Sequence, residues 1–247
     1  MTIQGAGEQL DSTAEAFVHS VLDLKPQIAV FDCDGTLWAG DSGADFFYWE
    51  IERGLLPKPV AEWVLKRYDE YLAGRVSELD ICGEMVTIHK GILEEKIAFA
   101  AAEFFESVIE PRIFAEMLAL VHRLNQQGCE TWAVSSTNEW VVRAGVQRFG
   151  IPAERVLAAS VYVEKGFATG RLREVPTDEG KAASIRAHIA GQADIVFGNS
   201  VHDQAMLELA RRAFAVNPNP DLAAAARERS WTCYMPMMIR RSDIKAS

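Results

Sequence analysis

The stretch Ile28-Ala29-Val30-Phe31-Asp32-Cys33-Asp34-Gly35-Thr36-Leu37 decides the fold. Its first four residues are apolar without alternation, the mark of a strand buried on both faces. Two aspartates follow at once, two residues apart. Gly35 then lets the backbone turn sharply and lets its amide approach a ligand. Alone, such a run is an acidic turn, because Asp and Gly favour turns.

On the N-terminal side, Leu10, Ala14, Phe17, Val18, Val21 and Leu22 recur at helical spacing, so a helix is expected over 8–24, ended by Pro26. On the C-terminal side, residues 42–109 carry helical patterning only. Helices are expected over 44–52, 59–73, 76–89 and 94–105, punctuated by Gly54, Gly74 and Gly91. After this block the pattern alternates. Helices are expected over 111–127, 139–149, 180–189 and 204–211. Strands are expected over 130–134, 156–162, 168–173, 195–197 and 212–216. Alternating strands and helices imply a parallel sheet covered on both faces. The expected architecture is an α/β, Rossmann-like sheet core formed by residues 1–41 and 110–247, with an all-helical insert over 42–109. The tail after Met235 is poorly patterned, and mobility is expected over 240–245.

The formal net charge is −10 over 247 residues, which argues against a nucleic-acid surface and against an anionic membrane partner. No apolar run is long enough to span a membrane, and the first ten residues lack the pattern of a signal peptide. Cys33, Cys82, Cys129 and Cys233 are scattered without a CxxC pair, which argues against a zinc or dithiol site and fits a reducing cytoplasm. His89, His122 and His188 fall in helices without metal-ligand spacing and read as structural or exposed.

Ligands of open parallel sheets bind beyond the carboxyl ends of the strands. Four polar segments sit at such ends: 32–36, 135–138, the stretch around Lys181, and 198–203. Each supplies a piece of phosphoryl-transfer chemistry. Two carboxylates close together are costly unless they share a cation or a proton. Mg²⁺, which takes carboxylates, water and phosphate oxygens, relieves that cost. One aspartate can attack phosphorus while the other exchanges protons with the leaving oxygen and with water. Ser135 precedes a helix, so its hydroxyl and the neighbouring amides can hold a phosphoryl oxygen. Lys181 can neutralise the nucleophile and the transferring oxygens. Asn199 and Asp203 offer further oxygen ligands. Taken singly, Ser135 is an N-cap and Lys181 a solvated lysine.

In order and spacing these residues resemble the haloacid dehalogenase superfamily: a DxDGT run, a strand-end Ser, a Lys and a GDxxxD-like segment, here Gly198-Asn199-Ser200-Val201-His202-Asp203. The likeness covers nearly all of the chain after Gln27. The helical insert, and Asn217-Pro218-Asn219-Pro220, look like the phosphoserine-phosphatase-like branch, whose insert is a cap. The resemblance implies Asp32 as nucleophile and Asp34 as general acid/base, with Ser135 and Lys181 completing the catalytic set. It implies phosphate contacts from Gly35, Thr36 and Ser136. It also implies Mg²⁺ held by Asp32, the Asp34 carbonyl, Asn199 and Asp203. The superfamily's dehalogenases lack the second aspartate, so Asp34 favours a phosphomonoester hydrolase. A phosphotransferase using the same aspartyl-phosphate, or a non-catalytic binding protein of this fold, remain the alternatives.

Two positions depart from the branch. Asn199 stands where phosphatases usually have Asp. Met85 stands where phosphoserine phosphatases carry the Arg that reads the substrate carboxylate, and neither Arg53 nor Arg75 fits that spacing. Asp41 matches a branch Glu that faces the substrate amine, and His202 matches a substrate-contacting position. The expected partner is therefore a small phosphorylated metabolite bearing an amine. Trp38, Tyr48 and Trp49 lie close enough in sequence to offer an aromatic face to such a cation, or simply pack in the core. Small residues over 39–43, and the segment at Glu110-Pro111, join insert to core and suit hinge closure.

Overall fold

The acidic run emerges from the middle of a seven-stranded sheet. A computed structural model describes residues 9–240, and the strand order is β4-β3-β2-β1-β5-β6-β7. These strands are β1 (Ile28–Phe31), β2 (Glu130–Asn138), β3 (Val156–Glu164), β4 (Phe167–Glu174), β5 (Ile195–Gly198), β6 (Arg212–Val216) and β7 (Thr232–Tyr234). All pairings are parallel except β3 with β4, an antiparallel hairpin. β1 lies between β2 and β5, so the chain leaves the sheet centre in both directions. That switch point is where an open α/β sheet opens a crevice beyond its strand ends.

The unalternated apolar pattern of β1 reflects burial on both faces. On one face Phe31 stacks on Phe197 at 4.5 Å, and Phe197 on Phe214 at 4.8 Å. Helices α1 (Ser12–Leu22) and α6 (Ala115–Gln126) cover them, with Phe17, Val21, Leu120 and Leu124 in the same core cluster. On the other face Val30, Val134 and Val196 pack with Ile185 of α8 (Glu179–His188), Leu207 of α9 (Gln204–Leu207) and Leu222 of α10 (Pro220–Arg229). Each such fully buried side chain contributes about 1.5–3 kcal/mol by leaving water. Helix α7 (Glu139–Val146) follows β2, with the Asn138 side chain accepting from the Val141 amide as its N-cap.

The insert holds α2 (Ser42–Glu52), α3 (Lys58–Leu72), α4 (Glu78–Thr87) and α5 (Glu94–Phe104). Helix α5 runs on as a π turn, Phe105–Ile109, and packs on α7. The two connections to the core run side by side: the Ala39 amide donates to the Arg112 carbonyl at 3.0 Å, and the Phe114 amide to the Leu37 carbonyl at 3.0 Å. The insert is also stitched to the β3–β4 hairpin. Gly91 N donates to Ala168 O (2.8 Å), Ala168 N to Ile92 O (2.9 Å) and Glu94 N to Gly166 O (2.8 Å). A small cluster of Phe47, Leu56, Ala61, Val64 and Ile88 gives α2 and α3 their own core.

Several elements differ from expectation. The helix expected over 111–127 begins at Ala115, behind a 3₁₀ turn Glu110–Arg112 that contains Pro111. The helix expected over 204–211 ends at Leu207. β2 continues to Asn138 rather than stopping at Val134. α10 and β7 have no counterpart among the expected elements, although Asn219 as N-cap and Pro220 at the first turn mark the start of α10. The residues on which the early helix (Glu8) and the mobile tail (241–245) were expected lie outside the described residues. Among the described residues no helix is long and apolar enough to cross a membrane.

Candidate active site

A cavity of about 260 Å³ opens between the strand ends of the core and the helices of the insert. From the core it is lined by Asp32, Asp34, Ser135, Lys181, Asn199 and His202, so all four polar segments meet there. Ser136 and Asp41 also line it. Gly35 and Thr36 lie behind Asp32 and are buried, while Asp203 is wholly enclosed.

Asp32 directly follows β1 and is 4% exposed. One carboxylate oxygen accepts from Lys181 Nζ at 2.8 Å, and the other from the Thr36 hydroxyl at 2.9 Å. Burial, then the charge of Asp203, pushes its pKa up to about 7, against the opposing pull of Lys181. Lys181 also donates to Asp203 at 2.6 Å. Burial works against its charge, but Asp203 and Asp32 together outweigh it and hold the ammonium above its ordinary pKa. The second oxygen of Asp203 accepts from the amides of Asn199 (2.8 Å) and Ser200 (3.0 Å), which shapes the loop after β5. Both oxygens of Asp203 are thus already engaged within the protein.

Asp34 points beside Asp32 and accepts three hydrogen bonds. Its Oδ1 takes Trp38 Nε1 (2.6 Å) and the Ser42 amide (2.8 Å), and its Oδ2 takes the Thr137 hydroxyl (2.8 Å). Ser42 opens α2, so the carboxylate also anchors the start of the insert. The Ser135 hydroxyl is buried and accepts from the Thr137 amide at 3.2 Å. Gly35, at φ +75°, is packed so tightly that an added Cβ would overlap the Asn199 side-chain nitrogen and lie 2.7 Å from its Cγ. Among the described residues the Asn199 side-chain amide makes no hydrogen bond, which leaves its oxygen available as a ligand.

The donor set suits a hard cation. Asp32, the Asp34 carbonyl and the side-chain carbonyl of Asn199 are oxygen ligands, and burial, then the charge of Asp203, raises the pKa of Asp32, so its carboxylate gains from a further cation. No three His, Cys, Asp or Glu side chains converge as a ready-made metal cage among the described residues. A cation here would depend on main-chain and amide oxygens as well as on carboxylate.

The insert side of the cavity is acidic and aromatic. Asp41 caps α2 by accepting from the Ala44 amide at 2.9 Å. Solvent reaches it, yet the surrounding walls and then the charge of Asp34 push its pKa up to about 6. Phe46, Phe47, Tyr68, Tyr71 and Met85 stand on this wall, together with Glu50, Ile81 and Cys82. Trp38, Tyr48 and Trp49 present no aromatic face to the cavity: Trp38 is wholly buried against Phe105, Trp49 packs on Phe104, and Tyr48 lies outside the cavity. No Arg lines the cavity among the described residues. Arg53 sits over the Trp49 ring at 3.9 Å and Arg75 is exposed. At the rim, the His202 ring nitrogens face Glu78 at 2.8 Å and Asp178 at 2.7 Å, which pushes its pKa up to about 9, Glu78 contributing most. Sequence reasoning missed Thr137, Tyr68, Tyr71 and Glu78. Only Thr137, inside the 135–138 segment, carried a local signal.

The chain is similar to several known proteins. A histidinol-phosphatase from Neisseria meningitidis is 27% identical over 219 residues, covering 83% of this chain and 96% of that protein. A phosphoserine phosphatase, SerB1, of Mycobacterium tuberculosis is 25% identical over 219 residues, covering 82% of this chain and 68% of that protein. A structure of a protein of unknown function from Bordetella pertussis superposes with a TM-score of 0.71 at 24% identity, covering 84% of this chain and 97% of that one. The family described as haloacid dehalogenase-like hydrolase matches residues 29–208, and the chain belongs to that family.

Proposed function

We propose that the protein is a magnesium-dependent phosphomonoester hydrolase that works through an aspartyl-phosphate on Asp32. The observation that carries this reading is the Asp32–Lys181–Asp203 cluster opening on the same cavity as Asp34 and the Ser135 hydroxyl. A carboxylate oxygen of Asp32 attacks phosphorus, and the P–O bond to the leaving alcohol breaks. Asp34, protonated for this step, gives its proton to the leaving oxygen. It then takes a proton from the water that attacks the aspartyl-phosphate, which releases phosphate and restores the Asp32 carboxylate. The Oδ2 of Asp34, held only by the rotatable Thr137 hydroxyl, is the oxygen suited to this exchange. Lys181 offsets charge on Asp32 and on the transferring oxygens. Asp32, the Asp34 carbonyl and Asn199 are the residues we assign to Mg²⁺, which when bound would neutralise charge on the phosphoryl group. Wholly enclosed and off the cavity lining, Asp203 serves this site by positioning Lys181 and the Asn199 loop.

Residues 42–109 act in this reading as a cap that sorts substrates. Asp41 offers a carboxylate to an amine, and among the described residues no cavity Arg meets a substrate carboxylate. The substrate is then a small amine-bearing, carboxylate-free phosphomonoester. Histidinol phosphate, to which the name of the Neisseria relative points, belongs to that class, as do phosphoethanolamine and phosphocholine. The test is a panel of these esters with phosphoserine and p-nitrophenyl phosphate, run with Mg²⁺ on wild type and on Asp32→Asn. Wild type should favour the amine esters over phosphoserine, and Asp32→Asn should lose about a thousandfold or more. Phosphoserine turning over fastest would overturn the substrate reading. No hydrolysis, and no fluoroberyllate or phosphate adduct on Asp32, would overturn the phosphatase reading.

A further inference from the structure

We infer that Glu78 is a positioning residue that clasps three loops of the core together from the insert. Glu78 is the first residue of α4, and the Ser77 hydroxyl caps that helix instead. The carboxylate of Glu78 reaches across to the core. Its Oε1 accepts from the Thr177 hydroxyl at 3.0 Å and from the Ser136 hydroxyl at 3.4 Å, while its Oε2 pairs with His202 Nε2 at 2.8 Å. These partners lie on three separate segments, each bearing a site residue. Ser136 adjoins Ser135 at the end of β2. Thr177 precedes α8, which carries Lys181. His202 sits between Asn199 and Asp203 in the loop after β5. One half-buried carboxylate from the insert thus meets all three loops that complete the site around Asp32.

The clasp extends one residue further. The other ring nitrogen of His202 meets Asp178 Oδ1 at 2.7 Å, and Asp178 holds φ +49° and ψ −125° although it is not glycine. A backbone in that region persists only where its surroundings over-determine it. Here the His202 contact ties that backbone to the clasp, directly before the helix that presents Lys181. The insert is also stitched to the β3–β4 hairpin by residues 91–94, and Glu78 adds an attachment at the cavity rim. With the clasp made, the three loops share one register and the cavity is walled. With it broken, the loops move independently and the substrate phosphate meets its partners out of register.

This inference rests on the proposed hydrolase, and its test separates the two. Glu78→Gln keeps the size of the side chain and an oxygen acceptor for the two hydroxyls but removes the charge facing His202. Thr177→Val removes one hydroxyl and leaves Glu78 intact. His202→Asn and the double variant with Glu78→Gln complete a cycle. With p-nitrophenyl phosphate and Mg²⁺, Glu78→Gln should lower kcat about tenfold or more with KM changed less than about threefold. The double variant should lose no more than the worse single one. Hydrogen exchange without substrate should quicken over 135–138, 177–182 and 199–203 in Glu78→Gln and Thr177→Val, while the melting temperature holds within a few degrees. This readout works even if wild type hydrolyses nothing, so failure of the hydrolase reading would leave it intact. Unchanged exchange in those loops would overturn the clasp. So would a kcat loss that merely tracks lost stability, or additive losses in the cycle.

Discussion

The most demanding test of the packing lies in the insert, where Glu50 and His89 form an ion pair at 2.8 Å with both side chains 2% exposed. His89 Nδ1 faces the Val86 carbonyl at 3.1 Å, so both ring nitrogens meet acceptors and the ring is best satisfied as an imidazolium. The ring stacks on Phe46 and meets Trp140 edge-on at 5.2 Å. His89→Leu removes the one partner of Glu50 among the described residues and leaves a carboxylate buried without compensation. Breaking such a pair costs about 3–5 kcal/mol. For a chain of this size that corresponds to roughly 6–20 °C in Tm. Replacing both partners, Glu50→Met with His89→Leu, removes the desolvation cost with the charge and should be near neutral or stabilising by about 1–4 kcal/mol. Urea unfolding followed by tryptophan fluorescence measures all three proteins. The pH dependence carries a sign as well. Burial works against charging His89, but Glu50 outweighs it and holds its pKa above the ordinary 6.5. The stabilisation is therefore complete below about pH 6.5 and fades as pH rises through the higher folded value. Wild type should lose stability relative to the double variant as pH is raised through that window. A single variant that loses under about 1 kcal/mol, or a double variant as damaged as the single, would refute the buried-pair reasoning.

Three further outcomes follow from the site. Lys181→Met leaves Asp32 and Asp203 without their shared cation, so kcat/KM with p-nitrophenyl phosphate should fall by about a hundredfold or more, with a lowered Tm by calorimetry. Asp34→Asn should slow alkyl phosphates far more than p-nitrophenyl phosphate, whose leaving group needs no proton; an equal loss on both would show that Asp34 is not the acid. Gly35→Ala forces a side chain onto a backbone at φ +75° and into Asn199, which should cost about 1–3 kcal/mol in urea unfolding and raise the Mg²⁺ concentration needed for half-maximal activity.

Most of the chemistry-bearing residues were readable in the sequence because they lie at or near the end of a strand whose apolar run is a local signal. Asp32 after Phe31, Ser135 within β2 and Asn199 after β5 needed only the inference that parallel strands bring their carboxyl ends together, whereas Lys181, early in α8, follows the antiparallel β4 and was readable only by its order among the motifs. Local pattern failed where stability comes from elsewhere. α10 is alanine-rich with a narrow apolar stripe, and β7 is a three-residue edge strand, so neither carries a period long enough to read. Trp38 illustrates the same limit: its nearness to Asp41 in sequence allows either an aromatic face for an amine or core packing, and its indole turns into the core against Phe105 and Phe149 and gives Asp34 its N–H.

By itself, then, the sequence determined an α/β sheet with a helical insert and the group of residues at its strand ends, because strand burial and turn chemistry act over a few residues. Only the tertiary structure decided which insert residues face them. Glu78 lies 58 residues from Ser136, 99 from Thr177 and over a hundred from His202, and the docking of helices over the sheet sets those meetings. The same docking put Tyr68 and Tyr71, rather than Tyr48 and Trp49, on the cavity wall. Side chains from distant segments meet through packing of whole elements, and no spacing along the chain encodes that.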